Sequence, residues 1–289
     1  MSTPQITFIG AGAIGLPMAV RAAAAGAVTA VDTSAERLEE ARAQGLQTAT
    51  SFIPSSPPDV VLVMVATAEQ AAAVLNGPEG VYAKAGPDTV VVVLSTIGPA
   101  EMQKLAAERP AGAPVLLDVP VTGGIPGAIA GTLTLFAAGD PNAIERIRPV
   151  LETMGKVVIS GPNIGDGQSY KIVNQLLATS QLVVAAEALA FAERLGLDTA
   201  KVFDAVKGGA GASWMLDNYG PRMLNADTGD IAARVDIFLK DASLVGETAD
   251  GAGFEGEMTR ATVAVLERAV ALGLAARDAS SVIDVYRQR

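Results

Sequence analysis

The chain of 289 residues contains no cysteine and no histidine. Without cysteine there is no disulfide frame, no thiolate nucleophile and no cysteine metal site. Without histidine, serine–histidine triads, imidazole acid–base catalysis and the usual zinc cages are excluded too, which leaves Lys, Asp, Glu and Tyr to move protons. No metal site is expected. Aromatic residues make up 4%, and Trp214 is the one tryptophan. Positive charge is also short: 21 Lys and Arg face 31 Asp and Glu, a formal net charge of −10. Such a surface repels phosphodiester backbones and anionic lipid, so neither nucleic acid nor a membrane is an expected partner. The first residues, Met1 to Gln5, carry no basic region ahead of an apolar core, and the Ala- and Val-rich stretches are interrupted before membrane-spanning length. The expectation is a soluble, cytoplasmic protein.

What is present begins with a glycine turn. The apolar run Ile6 to Ile9 leads into Gly10-Ala11-Gly12-Ala13-Ile14-Gly15, and an alanine-rich, helix-like stretch follows. Gly10 permits a tight strand-to-helix turn, Gly12 lets the backbone approach a pyrophosphate, and Gly15 allows close helix–strand packing. The phosphates would lie on the helix N-terminus, where unpaired N–H groups favour negative charge. Glycines also occur wherever a chain turns sharply, so the following strand matters. It runs from Val28 to Val31 and ends at Asp32, the expected distance on for an acid that accepts from an adenosine ribose. Thr33, Ser34 and Ala35 come next, with no immediate arginine for a ribose phosphate. NAD is therefore expected over NADP, with Arg37 the cation that could reverse the choice.

Half of the residues are hydrophobic and the length suffices for two domains. Up to about residue 160, short β-branched runs alternate with helix-like segments: 28–31, 60–65, 89–94, 115–117, 132–137 and 156–159. Runs such as Val60 to Val65 are apolar throughout, as befits parallel strands buried on both faces. After the glycine-rich passage Ser160 to Gly167, strand signals nearly vanish. A long helix, apolar on more than one face, is predicted from Ser169 to about Leu195, and others at about 199–207, 213–224, 235–250 and 257–273. The expected fold is α/β: a doubly wound, Rossmann-type NAD-binding domain over 1–162, then an all-helical substrate and dimerisation domain over 163–289 that opens with a long inter-domain helix, with ligand between them.

Candidate chemistry lies at the ends of these elements. Lys171 opens the long helix, with Asn174 one turn on along the same face. A lysine there either snorkels to water or is desolvated, which lowers its pKa from about 10.4 toward a range useful for proton transfer. With no histidine, Lys171 is the best general acid/base. Asp118 to Gly124 places the Thr122 hydroxyl beside Gly123 and Gly124, either an ordinary turn or a seat for a carboxylate. Val65, Ala66 and Thr96 follow buried runs and are candidates for cofactor contact; Ser95 and Thr96 compete with a role capping the helix near Pro99. Lys240 reads as a solvated helix edge on residues alone, and Trp214 as core or as the wall of a substrate pocket.

In this order and spacing the pieces resemble the β-hydroxyacid dehydrogenase family, which includes 3-hydroxyisobutyrate dehydrogenase and tartronate semialdehyde reductase. The likeness spans the whole chain. It rests on Gly10 to Gly15 with Met18, on Asp118 to Gly124, on Gly165-Asp-Gly167 through Lys171 to Asn174 and Gln175, and on Lys240. Ser213 to Met215 and Val235 to Asp241 resemble the L-threonate dehydrogenase branch in finer detail. Two positions depart from the family: Thr122 stands for its usual serine and Val119 for its usual alanine. The resemblance implies reversible hydride transfer between NAD and a short hydroxy acid of three or four carbons. Thr122, Gly123 and Gly124 would hold the substrate carboxylate, Lys171 would move the proton, Asn174 would orient the reacting oxygen, and Lys240 would close over the cofactor. It also implies a homodimer or homotetramer built around the long helix. Two alternatives stand beside it: an imine reductase-like enzyme, in which another residue is expected at position 171, and a catalytically silent NAD-binding module.

Overall fold

The computed structural model describes residues 3–225 and 231–288. It divides into two compact units, Met1–Lys171 and Ile172–Arg289.

The first unit is a sheet with helices on both faces. Its first half runs β1 (Gln5–Ile9), α1 (Gly15–Ala22), β2 (Ala27–Val31), α2 (Ala35–Ala43), β3 (Gln47–Ala49), β4 (Val60–Val63), α3 (Ala68–Leu75), α4 (Val81–Lys84), β5 (Val90–Val93), α5 (Pro99–Ala107) and β6 (Val115–Asp118). These strands are parallel, in spatial order β3-β2-β1-β4-β5-β6. Alternation of side chains across the sheet explains the unbroken apolar runs: Val60, Leu62, Val90 and Val92 enter one core, while Val61, Val63, Val91 and Val93 enter the other.

The sheet is mixed rather than wholly parallel. β7 (Val121–Thr122), α6 (Gly124–Ala130), β8 (Leu133–Ala138), α7 (Pro141–Glu152) and β9 (Gly155–Gly161) complete it. β8 runs antiparallel to β6 and β7, whereas β9 returns parallel to β8. Connection length supplies the reason. Ten residues, 123–132, join β7 to β8, fewer than the dozen or more that a parallel crossover takes, while sixteen, 139–154, join β8 to β9.

The helix α8 (Asp166–Arg194) begins in the first unit and continues into the second. By length and composition it could cross a membrane, contrary to the expectation that no stretch reaches that span, but 50% of its most apolar window is buried within the protein. The second unit adds α9 (Thr199–Val206), α10 (Trp214–Leu224), α11 (Val235–Gly251), α12 (Glu257–Ala271), a 3-10 turn at Ala279–Ile283 and α13 (Asp284–Arg287). Leu182, Ala186, Leu189, Met215, Met223, Val235, Ala242, Leu266 and Val282 form its core. Asp198 and Ser213 cap α9 and α10 through the N–H groups of Lys201 and Leu216.

Candidate active site

The glycine turn joins β1 to α1, and each glycine meets a different constraint. Gly10 has φ +98°, and a Cβ there would lie 2.0 Å from the Met64 carbonyl. At Gly15 a Cβ would lie 2.0 Å from the Gly10 carbonyl and 3.3 Å from Phe8 Cε1, so this glycine sets how closely the helix meets the strand. A Cβ on Gly12 would meet nothing within 4 Å. The first turn of α1 carries no acidic residue, and Ile14 at its N-cap makes no side-chain capping bond.

Parallel strands bring the other cofactor candidates to the same edge. Asp32 follows β2; one of its oxygens accepts from Ala11 N and the other from Ser34 N, both at 2.8 Å. A carboxylate offers about four acceptor positions, so two are spoken for. Arg37 pairs with Glu40 at 2.8 Å on the exposed side of α2. Thr33 follows Asp32, Val65 and Ala66 follow β4, and Thr96 follows β5. Neither Ser95 nor Thr96 caps α5, whose N-cap is Gly98. Ser95 is buried, and its Oγ accepts from Val65 N at 2.8 Å. It therefore braces the ends of β4 and β5.

Asp118 opens the expected carboxylate-binding segment, yet its own carboxylate is fully buried. Oδ2 accepts from Gly165 N at 3.0 Å and Gln168 N at 3.1 Å, and Oδ1 accepts from Gln168 Nε2 at 2.9 Å. Burial pushes this carboxyl up to about 6, against the lowering pull of those hydrogen bonds. Gly167 is tight because a Cβ would lie 2.5 Å from the Phe136 carbonyl and 2.8 Å from that of Asp118. Val119 packs into the core, so its extra methyl groups stay inside. Thr122 lies on β7 opposite Thr134, followed by Gly123 (φ +127°) and Gly124 (φ +63°) at the start of α6.

Lys171 is 6% exposed, which a snorkelling lysine would not be. In the second unit, Asn174 Nδ2 donates to Gln175 Oε1 at 2.8 Å, and Gln175 Nε2 donates to Asp241 Oδ2 at 2.5 Å. Lys240 Nζ lies 3.0 Å from the other Asp241 oxygen. Asn174, through Gln175, and Lys240 thus meet on one carboxylate, Asp241. Trp214 is 52% exposed at the start of α10, so it is no core residue. Gln168, Gln175 and Asp241 fall within the motifs quoted from the sequence but receive no role there, because their partners lie 50 or more residues away. Among the described residues no cluster of acids suits a metal ion.

Residues 5–164 match the NAD binding domain of 6-phosphogluconate dehydrogenase, and residues 165–286 match the NAD-binding domain of NADP-dependent 3-hydroxyisobutyrate dehydrogenase. The chain is 34% identical over 288 residues to an L-threonate dehydrogenase of Haemophilus influenzae, covering 98% of this chain and 95% of that one. The chain belongs to the β-hydroxyacid dehydrogenase family. Another β-hydroxyacid dehydrogenase relative, a 2-hydroxy-3-oxopropionate reductase of Escherichia coli, is 33% identical over 249 residues, covering 85% of this chain and 84% of its own. A 3-hydroxyisobutyrate dehydrogenase structure from Salmonella typhimurium superposes with a TM-score of 0.89 at 29% identity, covering 97% and 99% of the two chains. As a β-hydroxyacid dehydrogenase the chain is an NAD-dependent oxidoreductase acting on a small hydroxy acid. The turn at Gly10–Gly15 fits that cofactor: a Cβ-free gap over Gly12, an uncapped helix start and a carboxylate at Asp32.

Proposed function

We propose that the chain interconverts a three- or four-carbon hydroxy acid, L-threonate-like or 3-hydroxyisobutyrate-like, and its oxo acid, with Lys171 as the general acid/base. The observation that carries this reading is the burial of Lys171 in a chain without histidine. Its setting on a family-matched helix and the L-threonate and 2-hydroxy-3-oxopropionate names of the relatives support it. NAD, when bound, accepts the hydride in oxidation and returns it in reduction. Lys171 takes the hydroxyl proton in one direction and gives it to the developing alkoxide in the other. Thr122, Gly123 and Gly124 hold the substrate carboxylate, Asn174 orients the reacting oxygen, and Trp214 walls the pocket. Gly10 to Gly15 seat the pyrophosphate; Asp32 and Thr33 contact the adenosine ribose; Val65, Ala66, Thr96 and Lys240 complete the cofactor contacts. Asp32 and the engagement of Arg37 with Glu40 favour NAD over NADP.

The same reading assigns residues 1–162 to cofactor and 163–289 to substrate and assembly. It has a homodimer or homotetramer in the cytoplasm, without nucleic acid or membrane. The test is a spectrophotometric screen of NAD reduction with L-threonate, D-threonate, erythronate, glycerate, 3-hydroxyisobutyrate and 3-hydroxypropionate. On the best substrate, Lys171→Ala loses at least about a hundredfold in kcat while keeping its affinity for NAD. Near wild-type turnover across pH removes Lys171 from the role.

A further inference from the structure

Gln168 uses its whole hydrogen-bonding capacity inside the first unit. The side chain is fully buried. Its Nε2 donates to Asp118 Oδ1 at 2.9 Å and to the Ser95 carbonyl at 3.0 Å, while Oε1 accepts from Ile97 N and Gly98 N, each at 3.0 Å. Both amide protons and both lone pairs are therefore engaged. The orientation is locked. A flipped amide would set donors against the N–H groups of Ile97 and Gly98 and an oxygen against the Asp118 carboxylate. Asp118 grips the same helix end through the N–H groups of Gly165 and Gln168.

Two segments meet at this amide. One is the turn after β5, Ser95 to Gly98, which carries Thr96. The other is the first turn of α8, and Lys171 follows Gln168 by three residues on the same helix face. We infer that Gln168, oriented by Asp118, is a positioning residue that holds the Ser95–Gly98 turn in register with the helix turn bearing Lys171. This rests on the reading of Lys171 above. Gln168 touches no reacting atom; it acts by limiting how far the lysine and the turn can slide past each other. A displacement of about 1 Å at such a distance from the chemistry can cost about a hundredfold in rate.

Amide exchange in the cofactor-free protein, read alongside steady-state kinetics, tests the inference. Gln168→Ala speeds hydrogen exchange at Ile97 and Gly98 roughly tenfold, as expected for one lost hydrogen bond each, and lowers kcat at least about tenfold while KM for NAD moves less than about threefold. Gln168→Glu sets a second carboxylate against Asp118 and is impaired similarly. The pair Asp118→Asn with Gln168→Glu reverses the polarity of the contact to position 118: the new amide still accepts from Gly165 N and the N–H at 168 and donates to the new carboxylate, which accepts from Ile97 N and Gly98 N but sets an oxygen against the Ser95 carbonyl that Gln168 Nε2 had donated to. This double variant therefore recovers only part of the protection at Ile97 and Gly98 relative to Gln168→Glu. Unchanged exchange at Ile97 and Gly98 in Gln168→Ala, or kcat within twofold of wild type, overturns the inference. Lys171→Ala, measured in parallel, separates the two ideas: if it retains turnover the lysine reading fails, and if it is inactive while Gln168→Ala is not, only the positioning role fails.

Discussion

Asp118 is a carboxyl that folding makes harder to ionise. Its ordinary value of 3.8 rises to about 6 because it is buried, and the donors from Gln168 and Gly165 recover only part of the lost hydration. The native state therefore holds this proton more tightly than the unfolded chain does. Its contribution to stability is greatest below about pH 4 and is lost as pH rises through about 6, where the buried charge costs roughly 3 kcal/mol by the usual 1.36 kcal/mol per pK unit. The carbon-13 resonance of the Asp118 carboxyl should titrate near pH 6. A midpoint below 4 would contradict the burial argument. At Asp32, on the proposed reading, the charge acts on a ligand instead. Asp32→Ala removes acceptors worth roughly 1.5–3 kcal/mol to a ribose hydroxyl, so kcat/KM for NAD falls about tenfold or more and discrimination against NADP weakens. Steady-state constants for both cofactors check this, and a wild-type enzyme already preferring NADP would refute it.

The β1–α1 turn separates two functions of glycine at the scale of one element. Gly15→Ala forces a methyl group to within 2.0 Å of the Gly10 carbonyl, so α1 must move off β1. Such overpacking costs about 1–3 kcal/mol and lowers the melting temperature. Gly12→Ala meets nothing within 4 Å, so it melts as wild type does. On the proposed reading its methyl group fills the space a pyrophosphate needs, and NADH affinity, followed by fluorescence, falls at least about tenfold, the cost of roughly 1.4 kcal/mol of lost contact. Equal loss of stability in both variants would merge the two roles.

For the whole molecule, charge and exposed apolar surface set the terms of assembly. A net charge of −10 opposes close approach of copies except where apolar surface outweighs it. Along α8, Val173, Leu177, Val184 and Phe191 are exposed at helical spacing. Val184 and Phe191, 51% and 62% exposed, lie seven residues apart on one stripe. On the proposed oligomeric reading, the double variant Val184→Asp with Phe191→Glu reduces the mass found by light scattering to that of one chain, 29.3 kDa. A wild-type protein that already runs as a monomer would remove the stripe from that role.

Where a structural feature depends on immediate neighbours, the chain alone disclosed it. The Gly10–Gly15 turn, the acid after β2, the two-faced apolar strands and the long helix are all local patterns, since backbone freedom and side-chain periodicity follow from adjacent residues. β3 and β7, of 3 and 2 residues, were too short to carry any periodicity. Only the tertiary structure turned β8 against β6, drew Asp118 inward and closed all four bonds of Gln168, whose partners lie 50 to 73 residues away. A buried amide's worth comes from its partners, and folding alone brings such partners together.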